Sequence, residues 1–441
     1  MLSANSQRFP GAWLMRKGPW WLLGGVLALL GIFILGTVLL FNALPKPKRL
    51  IEPLALDYSV ADPAFQRTLA ALMHSPIQEG HSLEPLRDGE AIYAAMKEGL
   101  AQAEHSITFE TFEFWGEAAA GAFAEGLAAA AARGVQVKVL LDFIGSHPAS
   151  EEKFARMEEA EVTVVRWREP SWYQLSRFNH RTHRKLLVID GHTGFIGGAN
   201  VADNWLPDDE GPGYRDHHFR VQGPVVANMQ GAFAETWLDA TGYLLEGDAF
   251  FPALSPAGDA TLQLVKSSPR EGRQRMRHLL LYAVASAQTS ITASTAYFYP
   301  DPAFIEALTA AAERGVTVRI LVPGGSIDQG YVRHASVNRW RPMLEAGVSL
   351  YEFAPSMYHA KLMSIDDAWA TVGSTNLDNR SFRINDEANL NIFDQDGAEA
   401  VRRLIEADLE EAERYTLEEW ENRPWYKRVI GHGAGLLGAH L

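Results

Sequence analysis

Two short stretches of the chain carry the residue types that phosphodiester chemistry needs, at matching spacing. His183-x-Lys185 is followed by four residues and Asp190, and His359-x-Lys361 by four residues and Asp366. Both stretches, Lys185 to Asp190 and Lys361 to Asp366, read as buried strands, on which residues i and i+2 face the same side. Each His and Lys are therefore expected to point into one space. Glycines follow, Gly197-Gly198-Ala199-Asn200 in one copy and Gly373-Ser374-Thr375-Asn376 in the other, so each Asn stands 17 residues after its His. Each copy then offers one carboxylate, Asp216 and Glu387. One such match in a long chain is unremarkable; two, at equivalent places and with the same Asn offset, are specific.

The chemistry explains the types. A phosphodiester is tetrahedral and anionic and repels nucleophiles. Two Lys and two Asn around it can neutralise and hydrogen-bond the phosphoryl oxygens as charge builds in the transition state. One imidazole can attack phosphorus and the other protonate the leaving alkoxide. The attacking ring must be unprotonated at one nitrogen and donate from the other to a fixed acceptor. Asp216 and Glu387 are the candidate acceptors. Asp190 and Asp366, at strand ends before turns, complete the motif and are expected to brace loops rather than touch substrate. Lysines supply the positive charge, so no metal and no cofactor is expected. His180 and His192 read as loop histidines. Adjacent strand residues His217 and His218 face opposite ways, which leaves His218 as a pocket candidate and sets His217 aside. Glu110, mid-strand among aromatics, must be paired or poised in the pocket, because a buried lone carboxylate is costly.

The pair resembles the HKD signature of the phospholipase D superfamily, and the surrounding residues are closer still to bacterial cardiolipin synthases. Thr182 to Gly191, Phe195 to Gly198 and Tyr214 to Pro224 resemble the first half of that family. Thr295 to Pro300, Met357 to Lys361, Gly373 to Asp378 and Arg380-Ser381 with Asn385 and Glu387 resemble the second. Asn200 departs from it, standing where many synthases carry Gly. The resemblance runs from about Glu79 to the C-terminus. It implies that His183 is the nucleophile and His359 the acid, and that Glu110 is a family position. It also implies phosphatidyl transfer between two phosphatidylglycerols with release of glycerol. Hydrolysis to phosphatidic acid and nuclease action share the constellation. The formal charge of −14 counts against a nucleic-acid partner.

The elements that position these residues repeat too. Ser106-Ile107-Thr108 recurs as Ser290-Ile291-Thr292, and Arg133-Gly134-Val135 as Arg314-Gly315-Val316, each Gly closing a helix before an alternating strand. The expected fold is α/β, two tandem phospholipase D-like sandwich units forming one shared active site. Residues 79–242 form the first unit, 243–259 a connector and 260–415 the second, with a 416–441 tail. The segment 207–213 reads as a surface loop. The tail mixes Trp420, Trp425 and Tyr426 with Lys427 and Arg428 ahead of Leu436-Leu437. That composition suits a membrane-interface segment or a packed terminal helix.

A membrane is the other expected partner. After a tail at 1–17, residues 18–45 carry no charge, and Trp20 to Phe41 is an apolar run of 22 residues. At ~1.5 Å per residue this spans ~30 Å, the thickness of a bilayer core. The run is longer than a signal peptide's apolar region, and Phe41-Asn42-Ala43-Leu44 is a poor cleavage site. The expectation is one uncleaved helix in a bacterial inner membrane, leading through a 46–78 linker to the catalytic units. Basic residues on its two sides balance and leave the orientation open. Cysteine is absent, which removes disulfides and thiolate chemistry.

Overall fold

The computed structural model describes residues 20–43, 56–169, 179–209, 211–269 and 274–435, with side chains of the first helix over 24–37. The N-terminal tail, the flanks of the apolar run, much of the linker, Glu210 and Leu436-Leu437 lie outside them.

The first helix, α1 (Trp20–Ala43), is 24 residues long. It forms a unit by itself. Its described apolar side chains are exposed, Phe33 by 71 % and Leu29 by 69 %. Among the described residues, no helix is long and apolar enough to cross a membrane. The stretch with described side chains, 24–37, is shorter than the ~20 residues a span requires.

The second unit is built on one 15-stranded sheet. The first half contributes β1 (Gln78–Arg87), β2 (Ser106–Thr111), β3 (Gln136–Asp142), β4 (Thr163–Trp167), β5 (Leu186–Ile189), β6 (Thr193–Gly197) and β7 (His217–Gln222). The second contributes β8 (Ala260–Ser267), β9 (Ser290–Ser294), β10 (Thr317–Pro323), β11 (Ser349–Phe353), β12 (Leu362–Ile365), β13 (Trp369–Gly373), β14 (Glu387–Ile392) and β15 (Ala412–Tyr415). In space the first half runs 1-7-6-5-2-3-4 and the second 8-14-13-12-9-10-11, with β15 added at the far edge. The repeat in the sequence is thus a repeat of topology. β1 and β8 join the halves antiparallel, pairing Gln78 with Leu262 and His81 with Ala260 across a bulge.

The α/β alternation builds this order. β2–β3–β4 and β9–β10–β11 are parallel, each step crossing through a helix. The strands carrying the motifs are short antiparallel insertions, β5 between β2 and β6, and β12 between β9 and β13. They are buried on both faces and read as continuous apolar runs. Helices α2 (Val225–Thr241) and α4 (Gln395–Leu409) follow β7 and β14. Their inner faces help fill a core that both halves share, in which Val188, Ile196 and Met229 pack with Leu362, Leu390 and Val401. The halves are therefore fused by an apolar interior, and the segment between them is pinned. Ser106 Oγ donates to the Ala249 carbonyl at 2.5 Å and Ala257 N–H to Gly80 at 2.9 Å. Asp208 and Gly211 exchange backbone bonds in the expected 207–213 loop.

Candidate active site

Both histidines sit just ahead of their strands, where extended chain from one half meets the other. Thr182 bridges Asp386 and Arg215 bridges Tyr358, each as a single parallel pair. His183 N–H donates to the Asp386 carbonyl at 2.9 Å, and His359 N–H to the Arg215 carbonyl at 2.8 Å. The residue after each bridging partner is a carboxylate, so the orienting pairs cross between halves. His183 Nδ1 donates to Glu387, 3.0 Å from both oxygens, and His359 Nδ1 donates to Asp216 Oδ2 at 2.9 Å. A carboxylate can only accept here, which fixes each tautomer and leaves Nε2 as the reactive nitrogen.

The carboxylates are held in turn. Glu387 accepts the Ser374 hydroxyl at 2.5 Å and Asn385 Nδ2 at 3.3 Å. Asp216 accepts Trp205 Nε1 at 2.9 Å and the His217 N–H at 2.8 Å. Gly198 is required by this approach, because a Cβ there would overlap the Asp216 carboxylate. Ring faces complete the walls, Phe112 at 5.6 Å from His183, and Trp205 at 5.0 Å and Tyr214 at 6.2 Å from His359.

The lysines lie in the same buried space, as the spacing requires. Lys185 Nζ donates to the His183 carbonyl at 2.7 Å. Lys361 Nζ lies 2.9 and 3.2 Å from the two ring nitrogens of His359. Burial pushes Lys185 down to about 7, with Lys361 adding to the effect, and pushes Lys361 down to about 8. A bound phosphodiester anion would favour the charged form of both.

The two pairs differ electrostatically. Burial, then Lys185, Lys361 and Arg380, hold His183 well below its ordinary value, and burial raises its partner Glu387 to about 7. Burial and Lys361 push His359 down to about 4 against the pull of Asp216. Burial also opposes ionisation of Asp216, but its hydrogen bond to His359 and the charges of His359 and Lys361 outweigh it. They hold that carboxyl well below the usual range. Both rings are thus held neutral in the free site, and His359 faces the firmer anion.

The remaining candidates divide. Asn200 is buried, with its side-chain Oδ1 accepting Thr111 Oγ1 at 3.3 Å and the Glu113 N–H at 3.2 Å. Asn376 is buried with its side-chain oxygen unpartnered, and its N–H donates to Ser381 Oγ. Asp190 and Asp366 stand apart from the reacting groups. Asp190 accepts the N–H groups of Glu104, His105 and Ser106 at 2.7–3.0 Å, and Asp366 those of Gln288, Thr289 and Ser290 at 2.8 Å. Both have positive φ, 51° and 54°, and close the far ends of β5 and β12. Seven residues at ~3.3 Å carry each on the order of 20 Å along the strand from its histidine. They brace loops.

Glu110 is paired, with a hydroxyl and not with a cation. It accepts the Thr182 hydroxyl, one residue before His183, and burial raises it to about 7. His218 is buried against the Gly197 backbone, with both ring nitrogens unpartnered, and burial pushes it down to about 4. It does not bond Asp216 or Lys185, although their charges reach it. His217 Nε2 turns to Asp408 at 2.8 Å.

Asp408 was not anticipated. Fully buried on α4, its Oδ1 accepts Arg215 at 2.5 Å and Arg87 at 3.2 Å; its Oδ2 accepts His217 and, at 3.0 Å, Tyr358. It thereby ties both neighbours of Asp216 to the neighbour of His359. A signal existed: Val401, Ile405 and Asp408 share one helical stripe, so the acid falls on the buried face.

This geometry coincides with a sequence family. The model of the cardiolipin synthase phospholipase D-like domain matches residues 96–210 and 280–409, one match over each half. The chain belongs to this family. It is 32 % identical over 374 residues to a cardiolipin synthase of Halalkalibacterium halodurans, covering 84 % of this chain and 74 % of that one. It is 34 % identical over 360 residues to cardiolipin synthase A of Pseudomonas putida, covering 81 % and 74 %. A crystal structure of phosphatidylserine synthase from Haemophilus influenzae superposes with a TM-score of 0.69 at 14 % identity. It covers 86 % of this chain and all of that one, a likeness of fold. As a member of the phospholipase D-type phosphatidyltransferases, the chain carries both HKD motifs intact.

Proposed function

We propose that this family member transfers a phosphatidyl group between two phosphatidylglycerol molecules, making cardiolipin and releasing glycerol. The observation that supports it most is the crossed pair of oriented imidazoles around two buried lysines. The phosphodiester anion entering the site favours protonation of His359 at Nε2. In the first step His183 Nε2 forms the N–P bond while the P–O bond to the leaving glycerol breaks, and the protonated His359 gives its Nε2 proton to the departing alkoxide. Lys185, Lys361, Asn200 and Asn376 hold the phosphoryl oxygens. In the second step His359 takes the proton of a hydroxyl on another phosphatidylglycerol, whose oxygen forms the new P–O bond as the N–P bond breaks. One phosphodiester replaces another, so the reaction is close to balanced and driven by loss of glycerol to water.

The same reading makes α1 a single membrane anchor in a bacterial inner membrane, supported by its 24 uncharged residues and exposed apolar side chains. The test is mass spectrometry of the lipids after the full chain acts on phosphatidylglycerol vesicles, with glycerol measured in parallel. Cardiolipin with stoichiometric glycerol is expected, and added glycerol should reverse the reaction. Phosphatidic acid as the dominant product would make the enzyme a hydrolase.

A further inference from the structure

The C-terminal helix α5 (Trp425–Gly435) packs on α3 (Gly330–Val337) by one face and leaves the other bare. The contact is close. A Cβ at Gly431 would overlap the His334 carbonyl and Asn338, and Ala434 packs into the cluster of Tyr299, Val332 and Ala335. On the outer face Trp425, Tyr426, Val429 and Ile430 are exposed by 75, 50, 60 and 46 %, and Tyr331 of α3 by 47 %. Among the described residues outside α1, five of the nine exposed large apolar side chains lie on this helix pair. Gathered in this way, they mark an interaction surface.

Charge and position identify the partner. Residues 329–343 and 422–435 contain no Asp or Glu in a chain of net charge −14, yet hold Arg333, Arg339, Arg341, Arg423, Lys427 and Arg428. Arg333 and Arg341 are answered by Glu352 and Glu345, which leaves a cationic excess along α5. His334, between the helices, is lowered by burial and by the charges of Arg333, Lys427 and Arg423. The patch also borders the reacting groups. Tyr331 OH donates to Gln329 Oε1 at 2.8 Å, Gln329 Nε2 to Tyr297 OH at 3.4 Å, and Tyr297 OH to Asp328 at 2.7 Å. The charge of Asp328 acts on Lys361.

We propose that the outer face of α5, with Tyr331, seats on the surface of an anionic phospholipid bilayer. There it turns the mouth of the active site toward the lipid headgroups. Apolar and aromatic side chains enter the headgroup boundary while Lys427 stays at the anionic surface. This rests on the lipid-substrate reading and adds a second, peripheral contact that sets the approach of the substrate.

The absence of cysteine makes the test clean. Ile430→Cys in the full chain, labelled with an environment-sensitive nitrobenzoxadiazole, is compared with Tyr243→Cys, an exposed apolar position at the start of the connector. In phosphatidylglycerol vesicles the label at 430 should shift to the blue. Shallow nitroxide lipids should quench it about threefold more than the label at 243, and the effect should weaken in phosphatidylcholine. A label at 430 that stays unquenched while the sample makes cardiolipin overturns the proposal. A shift that follows protein concentration without lipid also overturns it, and assigns the face to a second copy of the chain. Quenching in a sample that makes phosphatidic acid upholds the surface while refuting the transferase reading.

Discussion

Asp216→Asn removes one negative charge 2.9 Å from His359 Nδ1 and leaves shape and volume unchanged. An opposite charge at such range moves a titration by ~1–3 units, each worth about 1.4 kcal/mol. The protonated His359 should therefore lose roughly 1.4–4 kcal/mol, and any step that needs its proton should slow by about 10- to 1,000-fold. The sign follows from the role of the acid. kcat falls on the alkaline side when His359 of the substrate complex loses its proton, so lowering its pKa moves that limb to lower pH. A lipid whose leaving group is glycerol needs the proton; a short-chain p-nitrophenyl phosphodiester does not, because the phenolate departs unaided. In single-turnover assays Asp216→Asn should slow glycerol release while nearly sparing the p-nitrophenolate burst. Glu387→Gln, which disturbs the nucleophile, should slow both. Equal losses on the two leaving groups for Asp216→Asn, or an unmoved alkaline limb, would refute the assignment of His359 as acid.

Asp408→Asn weakens a buried ion-pair hub and should cost about 1–3 kcal/mol of stability, read as a lower denaturant midpoint, with His217 losing its carboxylate and Arg215 left to Asp88 and Glu411. Asp366→Ala removes the acceptor of three N–H groups far from the reacting atoms. It should lower stability by about 1–3 kcal/mol yet keep most of kcat in the surviving folded fraction, as a thermal melt beside an activity assay would tell. Deleting the residues before Leu50 should leave a folded catalytic unit that sediments less with membranes; full retention would move anchoring to α5.

Much of this was legible because chemistry and periodicity agree. The HxK spacing announced two equivalent strands, the Arg-Gly-Val pairs announced the helix-to-strand turns, and β5 and β12 appear within a residue of the expected runs. Less legible were relations across the repeat. Nothing in the spacing of Asp216 or Glu387 says which histidine each will meet, since pairing depends on β1 and β8 joining the halves and on two single-pair bridges. Glu110 illustrates a second limit. A strand pattern tells that a carboxylate is buried, but its partner, the Thr182 hydroxyl, comes from a distant segment. His218 illustrates a third: facing inward on a strand does not place a ring within bonding distance of the reactive groups.

The crossed pairs also bear on inheritance. Each half encodes one histidine and the acceptor for the other, so neither half can drift alone. A chimera that joins the first half of this chain to the second half of a relative exchanges the partner of both imidazoles at once. Its success would depend less on the motifs, which travel with their strands, than on the 182–386 and 215–358 bridges that bring each acceptor to its ring.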